Sequence, residues 1–448
     1  MLRGLCVCAL LSLACSGCSV LLIEPPFDDR VEIREEPCAD ELDGVCVGVD
    51  TEEGDKVGAC PCSGASKEVA DRAELLLAFQ NEAACVTLAD GHYGIVEVPD
   101  GFELVGASVD GVVLDWLSFV GGSASACRMN TKGVNVVGGA SGRLQYLSVA
   151  DSPADGVLVD PGGEAHIVGS TIDGSSRYGV SGFGAHSVVI ERSAIKGGAG
   201  PGIWVACTEG CACMARPELV IRDSVVRENS VVGMSIVGAD ADLQGVSISR
   251  NVVGENFEAG AGISVSTCSR ITAANLEIAD NADFGLLIDS SRAEIDGIEV
   301  TGNLRGIFTQ TQTGLSEIRI AGASVTDNFG VGLGISGATT ITFDDSIVSD
   351  TRTIALPVLV DGVSAGAQNI SEGICWSGTA VAELHRVLVK NSDLVAFVID
   401  GPASGVLEDV TLPDGSLLEV NYTSGPQPMT SGSTPPIHTL PDGDSSCR

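Results

Sequence analysis

Aromatic residues make up only 4% of this 448-residue chain, and Lys and Arg together number 24 against 60 Asp and Glu. The first scarcity excludes a core built on large rings and leaves small stacked side chains and tight turns, in keeping with 57 glycines. The second gives a net charge of −36 at pH 7, which repels a phosphate backbone and argues against nucleic acid as a partner. Polyanionic glycans are disfavoured on the same ground, unless calcium bridges them. After the N-terminal segment no stretch is long and apolar enough to span a bilayer. Leucine ladders and long amphipathic helical stretches are missing too, which sets aside leucine-rich and TPR-type repeats.

What is present is a repeat. Asn229, Asn251, Asn281, Asn303 and Asn328 recur in one register, each three residues after an apolar residue and most of them four before a glycine. Small residues open the units: Gly133-Val134, Gly156-Val157, Gly179-Val180, Gly202-Ile203, Gly233-Met234, Gly262-Ile263, Gly285-Leu286, Gly306-Ile307 and Gly332-Leu333, with Ala355-Leu356 and Ala396-Phe397 as degenerate members. A second set of inward pairs keeps the same period, from Leu147/Val149 through Ser170/Ile172 and Ser193/Ile195 to Val387/Val389 and Val410/Leu412. Apolar spacing of two inside a near-constant longer period means short strands, and a unit that cannot bury its own apolar face must stack on its neighbours.

This pattern resembles the right-handed parallel β-helix, or pectin-lyase-like, superfamily over roughly residues 85–415. The resemblance implies an all-β solenoid of about twelve coils in which the asparagines form a buried ladder, each amide capping a turn and bonding its stacked neighbours. Segment 69–83 carries Leu75, Leu76 and Phe79 at helical spacing and is expected to cap the open N-terminal end. The domain is placed at 67–415, followed by a Pro/Ser/Gly-rich tail at 416–448.

Residues 1–17 read as an export signal, with Arg3 ahead of an apolar run from Leu5 to Ala14. Cys15-Ser16-Gly17-Cys18 resembles a bacterial lipobox, although Cys15 stands where leucine is usual. That resemblance implies lipidation at Cys18, a membrane partnership through the lipid, and the outer membrane or surface of a Gram-negative bacterium; a secreted or periplasmic protein is the alternative. Residues 18–66 form an acidic tether containing cysteines. The sequence has 16 cysteines. Setting aside those of the signal and Cys18 leaves an even number, as disulfides in an exported chain require. Zinc held by Cys207, Cys211 and Cys213 with Cys268 is the rival for the central group. No cofactor is expected; calcium is left open.

In enzymes of the resembling superfamily the substrate cleft runs along the outward face of the strand that opens each coil. Here that row reads Asn135, Leu158, Ser181, Trp204, Ser235, Ser264, Leu287, Phe308, Gly334, Pro357 and Val398. It holds no carboxylate or base, so neither a lyase nor a hydrolase constellation is found and no catalytic residue is carried over. Glu277 and Glu299 occupy one outward position on neighbouring coils and are the best acidic pair elsewhere, with Glu294 and Arg319 nearby. None of the five histidines completes a triad: His166 falls on an outward strand position and His186 in a turn, while His92, His385 and His438 have no assignable partner. Trp204, between two serines, suits stacking on a sugar ring, or lies covered by the cysteine loop. A binding or structural role without catalysis, directed at a glycan or a surface protein, is the leading expectation. The alternative is a polysaccharide-active enzyme, a glycoside hydrolase or lyase.

Overall fold

In the computed structural model the described residues are 66–81, 84–213, 215–254, 260–311, 314–360, 363–393, 395–400 and 404–412, with Cys60 and Cys62. Strand fragments are also described at Glu41–Leu42, Val45–Cys46, Leu418–Asn421, Met429–Ser431 and His438–Thr439. Cys18, the export signal and most of the tether lie outside them.

Thirty-nine strands join into one hydrogen-bonded network wound as a solenoid. Each coil contributes three strands, and so three faces. On the first face Val134 stacks on Val157 and Val180, and the inward file continues through Ile203, Met234, Ile263, Leu286 and Ile307 to Leu333. The third face stacks Val149, Ile172, Ile195, Val226 and Ile248. Both files were predicted. Between them, the strip read from sequence as turn is a second face whose inward file is Leu144, Ile167, Ile190, Ile221 and Leu243. Its outward residues include Arg143, His166, Glu191 and Arg222, and this alternation of charge with apolar side chains hid the strand among turn residues. All these inward positions join one buried apolar core running from Val69 to Val410.

The corners are made by residues in the left-handed region. Arg128, Tyr146, Arg192, Asp223, Asn275, Asp345, Arg386 and Asp409 form one column between the second and third faces, with φ of 46–59°. Such a residue turns the chain sharply enough to start a new strand, at a steric cost that is least for Asn and Asp. Just inside this corner Ser170, Ser193 and Ser224 run in series. Each hydroxyl accepts from the backbone N–H one coil earlier, at 3.0–3.1 Å, and donates to a carbonyl two residues back.

At the corner between the third and first faces the five asparagines are buried, none more than 2% exposed. Asn229 N–H donates to Asn251 Oδ1 at 3.1 Å, Asn251 N–H to Asn281 Oδ1 at 3.1 Å, Asn281 N–H to Asn303 Oδ1 at 3.0 Å, and Asn303 N–H to Asn328 Oδ1 at 3.0 Å. Each Oδ1 also accepts from the Nδ2 of the preceding asparagine, at 2.8–3.4 Å. The opening glycines belong to the same device. A Cβ on Gly262 would stand 2.6 Å from the Gly285 carbonyl oxygen and 2.9 Å from Asn281 Nδ2, and Gly233 meets Gly262 and Asn251 in the same way. The missing side chain is the space into which the next coil and the ladder amide pack.

The ends of the solenoid differ from expectation. Ala355-Leu356 is not a coil-opening pair, because Leu333 stacks on Ile374 and Ile374 on Phe397. Gly373 is the true opener, since a Cβ there would lie 2.5 Å from the Ala396 carbonyl oxygen. Strand Ile354–Val360 instead folds back on Val363–Ser377 as an antiparallel hairpin inserted at the corner. A small residue before a period-two apolar pair describes a hairpin strand as well as a coil, and this misled the register. Toward the N-terminus the first face continues through Leu117 and Val96, with Trp116 and Ile95 in the glycine position. Past 415, strands Leu418–Asn421 and Met429–Ser431 add parallel rungs within the segment expected to be tail.

The capping helix α1 spans Arg72–Gln80. Asp71 caps it by accepting from Glu74 N–H at 2.9 Å, while Glu74 reaches back to accept from the N–H of Ala70, one residue before the cap, at 2.8 Å, a variant of the capping box. Leu75 and Ala78 are buried and Phe79 packs edge-on to Phe102. Leu76 was expected on the packed side but is 50% exposed, so the apolar stripe is narrower than the leucine run implied. Two disulfides, Cys60–Cys127 and Cys62–Cys85, tie Cys60 and Cys62 to strands of the second face.

Candidate functional site

The outward row of the first face follows the predicted register from Asn135 to Gly334. Its continuation is Cys375 and Val398, so Cys375 takes the place given to Pro357, which belongs to the hairpin. In the other direction it reaches Ser118 and Glu97. From Ser118 to Val398 the row carries no carboxylate, and Glu97 stands isolated one rung further out.

Trp204 lies in the middle of this row, partly exposed. Its ring centroid is 4.6 Å from that of Tyr178 and 5.9 Å from that of Phe183, both on the preceding coil and both tilted by less than 40° to it. Ser181, its register partner on that coil, is 2% exposed and donates to Asp155 Oδ2 at 2.7 Å. Asp155 is held in turn by Arg177, with Nε at 3.0 Å from Oδ1, and the Arg177 guanidinium sits 5.3 Å from the Tyr178 ring centre. Three rings thus form a platform whose base is fixed by an aspartate, a serine and an arginine. Asp155 Oδ2 accepts from Ser181 and from Arg177 Nη2 at 3.3 Å, while Oδ1 is buried beside Arg177 Nε without a hydrogen bond.

A related group stands further along. Phe284 and Phe308 lie 5.4 Å apart, the Arg305 guanidinium is 4.0 Å from the Phe284 ring centre, and Arg305 pairs with Asp283 at 3.0 Å. Burial pushes the Asp283 carboxyl above its usual range, and the charge and hydrogen bond of Arg305 only partly oppose this. The Phe308 ring covers Gly334, where a Cβ would come within 2.3 Å of it.

Glu277 and Glu299 are register partners on the third face, exposed, with Ser247 and Ser324 on either side. Adjacent rungs place their backbones about 4.8 Å apart. Neither has an ion pair or hydrogen bond among the described residues. They stand on a different face from Trp204, so the structure does not bring the two candidates together. Glu294 and Arg319 are stacked on the second face, and Arg319 turns to Asp344 at 3.9 Å. Two of the histidines without an assigned partner acquire one through stacking: His92 meets Asp115 at 3.2 Å and His385 meets Glu408 at 3.0 Å. Only the coil-to-coil register could have paired them.

The four central cysteines do converge, but as two disulfides, Cys207–Cys213 and Cys211–Cys268, rather than a zinc site. Cys207–Cys213 closes a loop on itself, and Cys211–Cys268 ties it two coils onward. Among the described residues the one group near enough to hold a metal is Cys62, Cys85 and Glu103. Its two sulfurs are already bonded to each other, which removes the thiolates a metal would need. With Cys375 also oxidised, the chain is disulfide-rich, as in exported proteins. No helix of the described residues is long and apolar enough to cross a membrane.

The right-handed beta helix region family model matches residues 123–261 and 240–380. Together these segments cover more than half of the chain, which belongs to that family. Among solved structures, the A-module of the Azotobacter vinelandii mannuronan C-5 epimerase AlgE6 is similar at 13% identity and a TM-score of 0.35, covering 83% of this chain and 94% of the other. The catalytic domain of a GH87 alpha-1,3-glucanase aligns at 9% identity and a TM-score of 0.36, over 84% of this chain and 70% of that one. The Dettilon tailspike protein aligns at 11% identity and a TM-score of 0.35, over 80% and 64%. No curated protein sequence matches the chain.

Proposed function

We propose that this protein is an exported β-helical rod, anchored by lipid at Cys18 to the outer membrane or surface of a Gram-negative bacterium, which binds carbohydrate on its first face without cleaving it. The observation that carries the reading is the Trp204 platform, in which the rings of Tyr178 and Phe183 on the preceding coil flank a tryptophan on a row otherwise made of serine, asparagine, glycine and apolar residues. Rings held at a surface with hydroxyls beside them match the alternating apolar and hydroxyl faces of a sugar. The corner carboxylates Asp155 and Asp283 are each tied to an arginine, which leaves the face without a proton donor and acceptor pair. Calorimetric titration with neutral polysaccharides tests the binding. Saturable heat that disappears in Trp204→Ala is expected; equal heat in parent and variant would remove Trp204 from the site. Fatty-acid labelling of parent and Cys18→Ala tests the anchor, and equal incorporation would exclude that cysteine.

A second reading, a glycan-cleaving enzyme, rests on Glu277 and Glu299 alone. Two exposed carboxylates on adjacent rungs have the closeness a retaining glycosidase uses, or could share a calcium ion. It requires turnover that Glu277→Gln abolishes.

A further inference from the structure

Cys375 is oxidised, and none of the four bridges Cys60–Cys127, Cys62–Cys85, Cys207–Cys213 and Cys211–Cys268 includes it. It stands on the outward row of the first face, after Phe308 and Gly334 and before Val398. From Asn135 to Phe308 that row is partly exposed, apart from Ser181 beside Trp204, and Gly334 is buried because the Phe308 ring lies on it. Cys375 is 5% exposed and Val398 only 1%, although Val398 is three rungs from Phe308. An outward valine this well buried has a layer of chain on top of it. The hairpin is not that layer. Val363–Ser377 is one unbroken strand, so the hairpin runs off the corner in line with the first face rather than back across it.

The sequence leaves few partners for Cys375. Cys6, Cys8 and Cys15 fall in the export signal and Cys18 at the lipid site, an elimination that rests on the export reading above. Cys38 and Cys46 flank one antiparallel hairpin, Glu41–Leu42 with Val45–Cys46, and are near each other. They are also far from Cys375. Cys60 is tied to Cys127, whose coil lies ten rungs, about 48 Å, before that of Cys375. The chain from Cys46 to Cys60 would have to run almost fully extended to cover that distance.

Cys447 is placed differently. The first face continues in register from Val398 to Glu419 and His438, so His438 lies three rungs, about 14 Å, beyond Cys375. Leu440-Pro441-Asp442-Gly443 has the composition of a reversing turn. The steps from Gly443 to Cys447 cover about 13 Å when extended, which is the length of the return.

We infer that Cys375 and Cys447 are joined by a disulfide, and that residues 444–447 form a strap across the Glu419 and Val398 rungs of the first face. Two thiols are oxidised in forming it, and a protein disulfide of a thiol–disulfide oxidoreductase is reduced. One cysteine thiolate attacks the carrier's disulfide, the second displaces the carrier from the mixed disulfide, and the two protons and two electrons leave with the carrier as its dithiol. The strap closes this end of the row. It covers the apolar Val398 and leaves the coils up to Phe308 as the part of the first face open to a ligand.

The test is peptide mapping of the full exported chain, with free thiols alkylated before any reduction. Trypsin releases Cys375 within residues 353–386 and Cys447 within residues 391–448, and neither peptide holds another cysteine. Expected is a linked pair of these two peptides, lost on reduction, from protein that runs as a monomer without reductant. Cys375 recovered alkylated, linked to a different cysteine, or linked only in a dimer would overturn the bridge, and a link to Cys18 would remove the lipid site as well. The mapping needs no variant, so it stands even if a substituted chain fails to fold. Hydrogen exchange tests the cover. In Cys447→Ser, and in Cys375→Ser as a second variant, the amides of strand Val395–Asp400 should exchange faster than in the parent, while those of Ile203–Ala206 keep their rate. Equal exchange of Val395–Asp400 in parent and variants would overturn the strap and leave only the cross-link.

Discussion

The coils from Asn229 to Asn328 and the coils that flank them solve one problem with different side chains. At the corner between the third and first faces, the register held by the five asparagines is filled earlier in the chain by Ser152, Ser175 and Gly198, and later by Thr351 and Ser392. In the central stretch, each Oδ1 beyond the first, from Asn251 to Asn328, accepts a backbone N–H and a side-chain amide from one coil earlier. In the flanks the hydroxyls of Ser175, Thr351 and Ser392 are buried without a hydrogen-bond partner. A hydroxyl is too short to reach the neighbouring coil, whereas a carboxamide presents both an acceptor and a donor at the right distance. The solenoid therefore has a polar spine in its middle that its ends lack.

This difference can be broken or sharpened by substitution. Asn281→Leu should have the largest effect, because it orphans Asn251 N–H and leaves Asn303 Oδ1 without one of its donors in a buried corner. About 3–5 kcal/mol of destabilisation is expected, read from the chemical unfolding midpoint. Gly262→Ala drives a methyl against the Gly285 carbonyl and the Asn281 amide and should cost about 1–3 kcal/mol in the same assay. Thr351→Asn tests the comparison in the opposite direction. The unpartnered Thr351 hydroxyl gives way to an amide in line with Asn328, opposite Gly332, whose Cβ position lies 3.2 Å from the present hydroxyl. A gain of about 1 kcal/mol is expected, seen as a higher melting temperature.

Two smaller effects concern the other corner, where no amide spine runs. Arg192 holds φ at 46°, so Arg192→Gly should stabilise by about 0.5 kcal/mol, the steric relief exceeding the added freedom of the unfolded chain. Asp345 is held below the usual carboxylate range by the hydrogen bond and charge of Arg386. Its contribution is fully present above the unfolded value, about 3.9, and is lost as pH falls through the lower folded value. Parent and Arg386→Gln should therefore converge in stability in acid and differ slightly at neutral pH, and salt should shrink the difference, since both groups are exposed.

The central coils were legible because a buried asparagine, an opening glycine and two inward files each leave a mark, and the marks share one period. The second face was legible only in part: His166 was placed on an outward strand position, but the inward file from Leu144 to Leu243 was taken for a strip of turn residues. The hairpin was misread because Ala355-Leu356 imitates an opening pair, and only the stacking of Leu333 on Ile374 decides otherwise. Trp204 was visible as a residue, but its platform was not. Tyr178 and Phe183 belong to another coil, and their approach depends on ring orientations that no spacing reveals. The Asp155–Arg177 and Asp283–Arg305 pairs likewise join consecutive coils through side chains that sequence separation keeps apart.

The binding role without catalysis is tested most directly by following binding and cleavage in one reaction. The protein is incubated with a long neutral polysaccharide, with and without calcium, while tryptophan fluorescence and new reducing ends are recorded together. A saturable fluorescence change that is lost in Trp204→Ala, with no new reducing ends, is the expected result. New reducing ends that disappear in Glu277→Gln would contradict it.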